Sequence, residues 1–106
     1  MVPADDGVIG MDLPEKVIAG IKELAEAYDV QRVVLFGSRA RGDNHPKSDV
    51  DLAVYGCADF TNFSLDVDEK VWTLLMFDIL DMDRYDYSQE LLQEIARDGV
   101  TIYEKV

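Results

Sequence analysis

The sequence predicts an α+β domain in which a mixed sheet of about four strands is flanked by helices. Three observations predict it. Segments with apolar residues at helical spacing alternate with short β-branched runs, in the order helix, strand, small helix, strand, helix, strand, helix, strand. The link from Gly37-Ser38 to Val50 is too short for an ordinary parallel crossover helix, so the first two strands are expected antiparallel, or the sheet mixed. The chain has 106 residues, 48% hydrophobic and 30% charged, which suits one small domain with one core and argues against disorder.

Each element has its own signal. Residues 1–11, with Gly7 and Gly10 and little pattern, read as a loose tail, leaving 12–106 as the domain. Asp12 is placed to cap a helix over about 13–28, with Pro14 in the first turn and Glu15 three residues after the cap. Leu13, Val17, Ile18, Ile21, Leu24 and Ala25 form its apolar stripe. Val33-Val34-Leu35-Phe36 reads as a buried strand, and residues 38–42 leave room for one or two helical turns. Asp43-Asn44-His45-Pro46 is turn chemistry. Val50 to Tyr55 is the second strand, closed by Gly56. From Phe63 the helical pattern returns, with Val67, Val71, Leu74 and Leu75 on one face. Phe77-Asp78-Ile79-Leu80 reads as a third strand. Ser88 caps a last helix carrying Leu91, Leu92, Ile95 and Ala96, Gly99 ends it as a C′ residue, and Val100 to Tyr103 is the final strand.

Charge narrows the classes of function. A formal net charge of −12 argues against a protein that grips long nucleic acid through its phosphates. No apolar run has the length of a membrane span, and Met1 to Asp6 lacks the basic start of a signal peptide. The single cysteine, Cys57, fits a reducing cytoplasm and reads as a small packing residue. Arg32, Arg39, Arg41 and Lys47 flank one stretch, and a locally cationic loop on an acidic chain suits a small anionic ligand such as a nucleotide. The acidic remainder suits a basic protein partner.

That stretch carries most of the chemistry. Gly37 allows a sharp turn and close approach of a ligand. Ser38 and the amides after it can bond phosphate oxygens. Asp49 and Asp51 stand at i and i+2, so on an extended strand both point to one face, a pairing that suits Mg²⁺ shared with a triphosphate. Alone, Asp-Val-Asp reads as a capped turn. Asp78 changes the weighing, because a carboxylate inside Met76 to Leu80 is costly to bury unless paired, bonded or metal-bound. Three converging carboxylates would raise the pKa of at least one of them unless a cation joined them. Asp81 and Asp83 are expected to face solvent, His45 to lie in a surface loop, and Trp72, Phe60, Tyr85 and Tyr87 to belong to the core or an interface. Arg39 and Arg41 divide evenly between a phosphate clamp and a solvated loop. A Walker-type loop is excluded by the missing Lys-Ser/Thr pair, and a phosphatase-type Asp-x-Asp by the apolar run that follows the carboxylates instead of preceding them.

Gly37-Ser38, ten residues, then Asp49-Val50-Asp51 resembles the signature of the minimal nucleotidyltransferases of the DNA polymerase β-like nucleotidyltransferase superfamily. The resemblance covers residues 12–104, including Phe77-Asp78-Ile79-Leu80 and Ile95 to Tyr103. It implies a polymerase β-like fold and nucleotide binding by Gly37, Ser38, Arg39, Arg41 and Ser48. It further implies two Mg²⁺ ions at Asp49, Asp51 and Asp78, which are also the catalytic residues, with Asp78 nearest the acceptor hydroxyl. The implied reaction moves AMP from ATP to a hydroxyl and releases pyrophosphate. Small members of the family are often the antitoxins of HEPN-domain toxins, and some modify a tyrosine of the toxin with AMP. The resemblance therefore implies an acceptor on a partner protein and a hetero-oligomer. Two other readings stay open: a nucleotide-binding antitoxin that acts by contact alone, and a nucleotidyltransferase of small molecules.

Overall fold

The computed structural model describes residues 13–43, 49–71 and 75–105. The expected tail at 1–11, the cap at Asp12, the turn residues His45 and Pro46, Lys47, Ser48, Trp72 and Leu74 lie outside the described residues. The elements run α1 (Glu15–Ala27), β1 (Arg32–Phe36), α2 (Ser38–Arg41), β2 (Val50–Tyr55), α3 (Phe60–Lys70), β3 (Phe77–Asp81), α4 (Gln89–Asp98) and β4 (Val100–Glu104).

The four strands form one sheet in the order β3-β2-β1-β4. β1 pairs antiparallel with β2, with Val34 opposite Ala53 and Phe36 opposite Asp51. β1 also pairs antiparallel with β4, with an irregularity in register between Val33 and Val34. β2 and β3 are parallel, which requires the crossover that α3 supplies. The sheet is thus mixed, for the reason the short Gly37-to-Val50 link dictates.

Strand alternation sorts the core into two layers. Val33 and Leu35 of β1 and Leu52 and Val54 of β2 pack with Val17, Ile21 and Ala25 of α1 and with Phe63 and Val67 of α3. The other face carries a smaller cluster of Val34, Phe36 and Ala53 beneath Ile95 of α4. The large layer holds the domain together; burying Phe63 alone, which is fully enclosed, contributes about 2–3 kcal/mol. The small layer leaves the rest of its face open, and the carboxylates lie there. Among the described residues no helix is long and apolar enough to cross a membrane.

Several details differ from the sequence expectations. Pro14 is the N-cap of α1, where its carbonyl accepts from the amides of Val17 (3.0 Å) and Ile18 (3.1 Å), without a side-chain cap. α3 begins at Phe60, before its first fully buried residue, and Val71 is buried just past its end. Ser88 caps α4 as expected, its hydroxyl accepting from the amide of Leu91 at 3.2 Å. Gly99 ends α4 for a different reason than a left-handed turn. Its φ is −65°, and a Cβ there would press on the carbonyl of Ile95 and stand 2.7 Å from Val34 Cγ1.

Candidate active site

The site forms where β1 ends and β2 begins. β1 runs into Gly37, whose φ of 79° lies in the region that favours glycine, and α2 starts at once with Ser38. The turn is closed by backbone: the carbonyl of Gly37 accepts from Ala40 (3.1 Å) and Arg41 (3.2 Å), and that of Ser38 from Gly42 (2.8 Å) and Asp43 (3.1 Å). Gly37 meets a second demand. A Cβ on it would collide with the carboxylate of Asp51, across the β1–β2 pair.

Asp51 is half-buried, and Asp78 is its partner in the parallel β2–β3 register. Asp49 is exposed, just before the strand. Burial, then the charge of Asp78, then that of Asp49 push the Asp51 carboxyl up to about 6. Glu94 of α4 adds to this and Arg41 opposes it. Desolvation and like charge are acting together, as three neighbouring carboxylates require.

Asp78 is exposed, contrary to the expectation of a buried strand. β3 is an edge strand, and Asp78 lies on the face that α4 leaves open. The buried carboxylate of this strand is Asp81, at 6% exposure, where solvent had been expected. Its Oδ1 accepts from the amide of Asp83 at 3.2 Å, and the Tyr87 hydroxyl donates to its carbonyl at 3.1 Å. Asp83 is exposed as expected and accepts from the amide of Gly56.

The cations part company. Arg39 is 3% exposed within α2, so it does not lie in a solvated loop. Arg41 is held by three carboxylates: Asp43 at 3.1 Å, Asp98 at 3.4 Å and Glu94 at 3.6 Å. Arg32 does not flank the site. It lies at the opposite end of β1, its guanidinium carbon 4.4 Å from the centre of the Tyr55 ring.

Asp49, Asp51 and Asp78 supply hard oxygen donors of the kind Mg²⁺ takes. Among the described residues, no three acidic, histidine or cysteine side chains are gathered closely enough to hold a metal ion alone. Mg²⁺ is commonly bound by one or two carboxylates, the shell being completed by substrate phosphates and water. Such an open arrangement fits the donor set here, and the raised Asp51 carboxyl records charge that a cation would neutralise.

The family model for polymerase β nucleotidyltransferases matches residues 19–106. The chain belongs to this family. As a polymerase β nucleotidyltransferase, it shares its fold with solved toxin–antitoxin structures. One contains AMP-PNP; it is 23% identical over 83% of this chain and 73% of that one, with a TM-score of 0.65. Two others are variants of the toxin–antitoxin pair MntA-HpeT, each with a TM-score of 0.63. They are 22% and 24% identical, over 83% and 89% of this chain and 73% and 75% of those. No curated protein matches the chain in sequence.

The sequence reading of this nucleotidyltransferase missed the acidic side of α4. Glu94 and Asp98 stand at i and i+4, so they share one side of the helix. That spacing is visible in the sequence. What it cannot convey is that this side is turned toward Arg41 and Asp51.

Proposed function

We propose that this nucleotidyltransferase moves AMP from ATP to a hydroxyl on a partner protein, as the antitoxin of a HEPN-domain toxin. The observation that carries the reading is the packing of Gly37 against Asp51, with Asp78 beside Asp51 in register. The turn that would receive phosphates and the carboxylates that would hold Mg²⁺ are thereby in contact. The toxin–antitoxin structures of the same fold, one with AMP-PNP, support both the nucleotide and the partner.

In this reading Gly37 and Ser38 receive the β- and γ-phosphates, with Arg39, Arg41 and Ser48 in support. Asp49 and Asp51 hold the Mg²⁺ pair and Asp78 completes the set. When bound, the ions polarise the phosphate and offset the charge that develops during transfer. Asp78, which is exposed at the open face, accepts the proton of the incoming hydroxyl in this reading. The hydroxyl oxygen bonds to the α-phosphorus, the α–β bridging bond breaks, and pyrophosphate leaves with the electron pair. The open sheet face gives a macromolecular acceptor access, and a chain of net charge −12 attracts a basic one.

The test is incubation with labelled ATP, Mg²⁺ and the protein encoded next to this one. Label on that protein, lost with Asp49→Asn or Asp51→Asn, is the expected result. A fully neutralised but unlabelled partner would instead assign the chain to antitoxins that act by contact.

A further inference from the structure

A cavity of about 330 Å³ lies on the other side of α4 from the carboxylates. Glu94 and Asp98 face Arg41, whereas Leu92, Ile95 and Ala96, spaced i, i+3 and i+4, line this second space. Its floor is Arg32, Val34 and Tyr55 of the sheet. It shares no lining residue with the Gly37, Asp51 and Asp78 site.

Arg32 makes the cavity unusual. Its side chain is half-buried and lies over the Tyr55 ring, yet among the described residues its guanidinium makes no ion pair or side-chain hydrogen bond. The chain carries 22 acidic residues against 10 basic ones, so a carboxylate was readily available to it. Arg41, in the same fold, has three. A partly desolvated guanidinium with unused donors favours an anion, and the cation–π contact with the tyrosine beneath helps hold it in place. Above it the helix offers only apolar side chains, and Leu92 is left 40% exposed for its size. The volume is that of a small-molecule site and not of an extended interface.

We propose that this cavity is a second ligand site that takes a small amphiphilic anion: a carboxylate, sulfonate or phosphate on Arg32, with an aromatic or branched apolar body against Leu92, Ile95 and Ala96. It is independent of nucleotide transfer and stands or falls separately from it.

The probe is 1-anilinonaphthalene-8-sulfonate, with uncharged N-phenyl-1-naphthylamine as its control, added to the full chain. Binding is read by fluorescence and by amide shifts in ¹H–¹⁵N spectra. The sulfonate is expected to bind at micromolar concentration and to shift Arg32, Ala96 and Thr101. Arg32→Gln weakens it at least tenfold, as loss of a charge-assisted bond requires, and leaves the uncharged dye unaffected. Ala96→Glu, which narrows the cavity and adds negative charge on an exposed helical position, abolishes sulfonate binding while the amide spectrum remains that of the folded chain. Equal loss of both dyes in Arg32→Gln, shifts located elsewhere, or binding indifferent to both substitutions overturns the proposal.

Discussion

Gly37 lies against the carboxylate of Asp51, so that the turn after β1 and the mouth of β2 share one small space. The φ of 79° at Gly37 and the missing Cβ are both required there. Gly37→Ala must therefore strain the backbone, at roughly 1–2 kcal/mol, and displace Asp51. The expected outcome is a chain that remains folded in circular dichroism, with a lowered Tm, but no longer gains thermal stability from Mg²⁺ and ATP. Retention of full transfer activity in Gly37→Ala would contradict the contact.

Asp51 links pH to stability. Its carboxyl is pushed from an ordinary 3.8 to about 6, so the folded chain holds that proton more tightly than the unfolded chain does. The contribution is fully favourable below about pH 4 and is lost as pH rises toward about 6, above which the folded state carries an unneutralised charge. The unattenuated shift corresponds to about 3 kcal/mol; because the group is half-exposed, about 1 kcal/mol is expected. Asp51→Asn should thus stabilise the metal-free protein by about 1 kcal/mol at pH 7.5 and change little at pH 4, measured by urea unfolding. The same variant should lose transfer activity.

Arg41 tests whether charge near the site positions nucleotide or merely supports the fold. Its three ion pairs are partly exposed and screened, so Arg41→Gln should cost little stability, seen as a nearly unchanged urea midpoint. If Arg41 supports the phosphates, the KM for ATP rises about tenfold with kcat little changed. An unchanged KM would leave Arg41 only the role of tying α2 to α4.

Gly99 gives a prediction about packing alone. Its backbone is ordinary, so alanine there meets no φ barrier; the cost comes from the Ile95 carbonyl and Val34 Cγ1. Gly99→Ala should destabilise the domain by about 1–3 kcal/mol, seen as a lower urea midpoint with an unchanged slope. A neutral or stabilising effect would show that α4 can lift from the sheet without penalty.

The elements were legible because periodicity reports local structure directly. The stripe Val17, Ile21 and Ala25 and the run Val33 to Phe36 each specify one element without help from the rest of the chain. The short link before Val50 constrained strand direction through chain length alone. Gly37-Ser38 and Asp49-Val50-Asp51 stood out as candidates for a similar reason, since they lie at the end of β1 and the start of β2. Exposure was less legible. The third strand places Asp78 in the open and Asp81 in the interior, the reverse of the reading from apolar neighbours. An edge strand has one face or flank free, and sequence alone does not say which strand lies at an edge.

By itself, then, the sequence determined the order of elements, the mixed character of the sheet and the presence of a glycine turn beside paired carboxylates. These follow from side-chain period, link length and residue type, all local quantities. Only the tertiary structure decided which strands became neighbours, and with that the rest. Placing β3 beside β2 sets Asp78 against Asp51 and raises the Asp51 carboxyl. Laying α4 across β1 gives Arg41 to Glu94 and Asp98 while leaving Arg32 above Tyr55 without a carboxylate among the described residues. Strand neighbours and helix placement depend on burying apolar area between elements distant in the chain, and that free energy is not written at any one position.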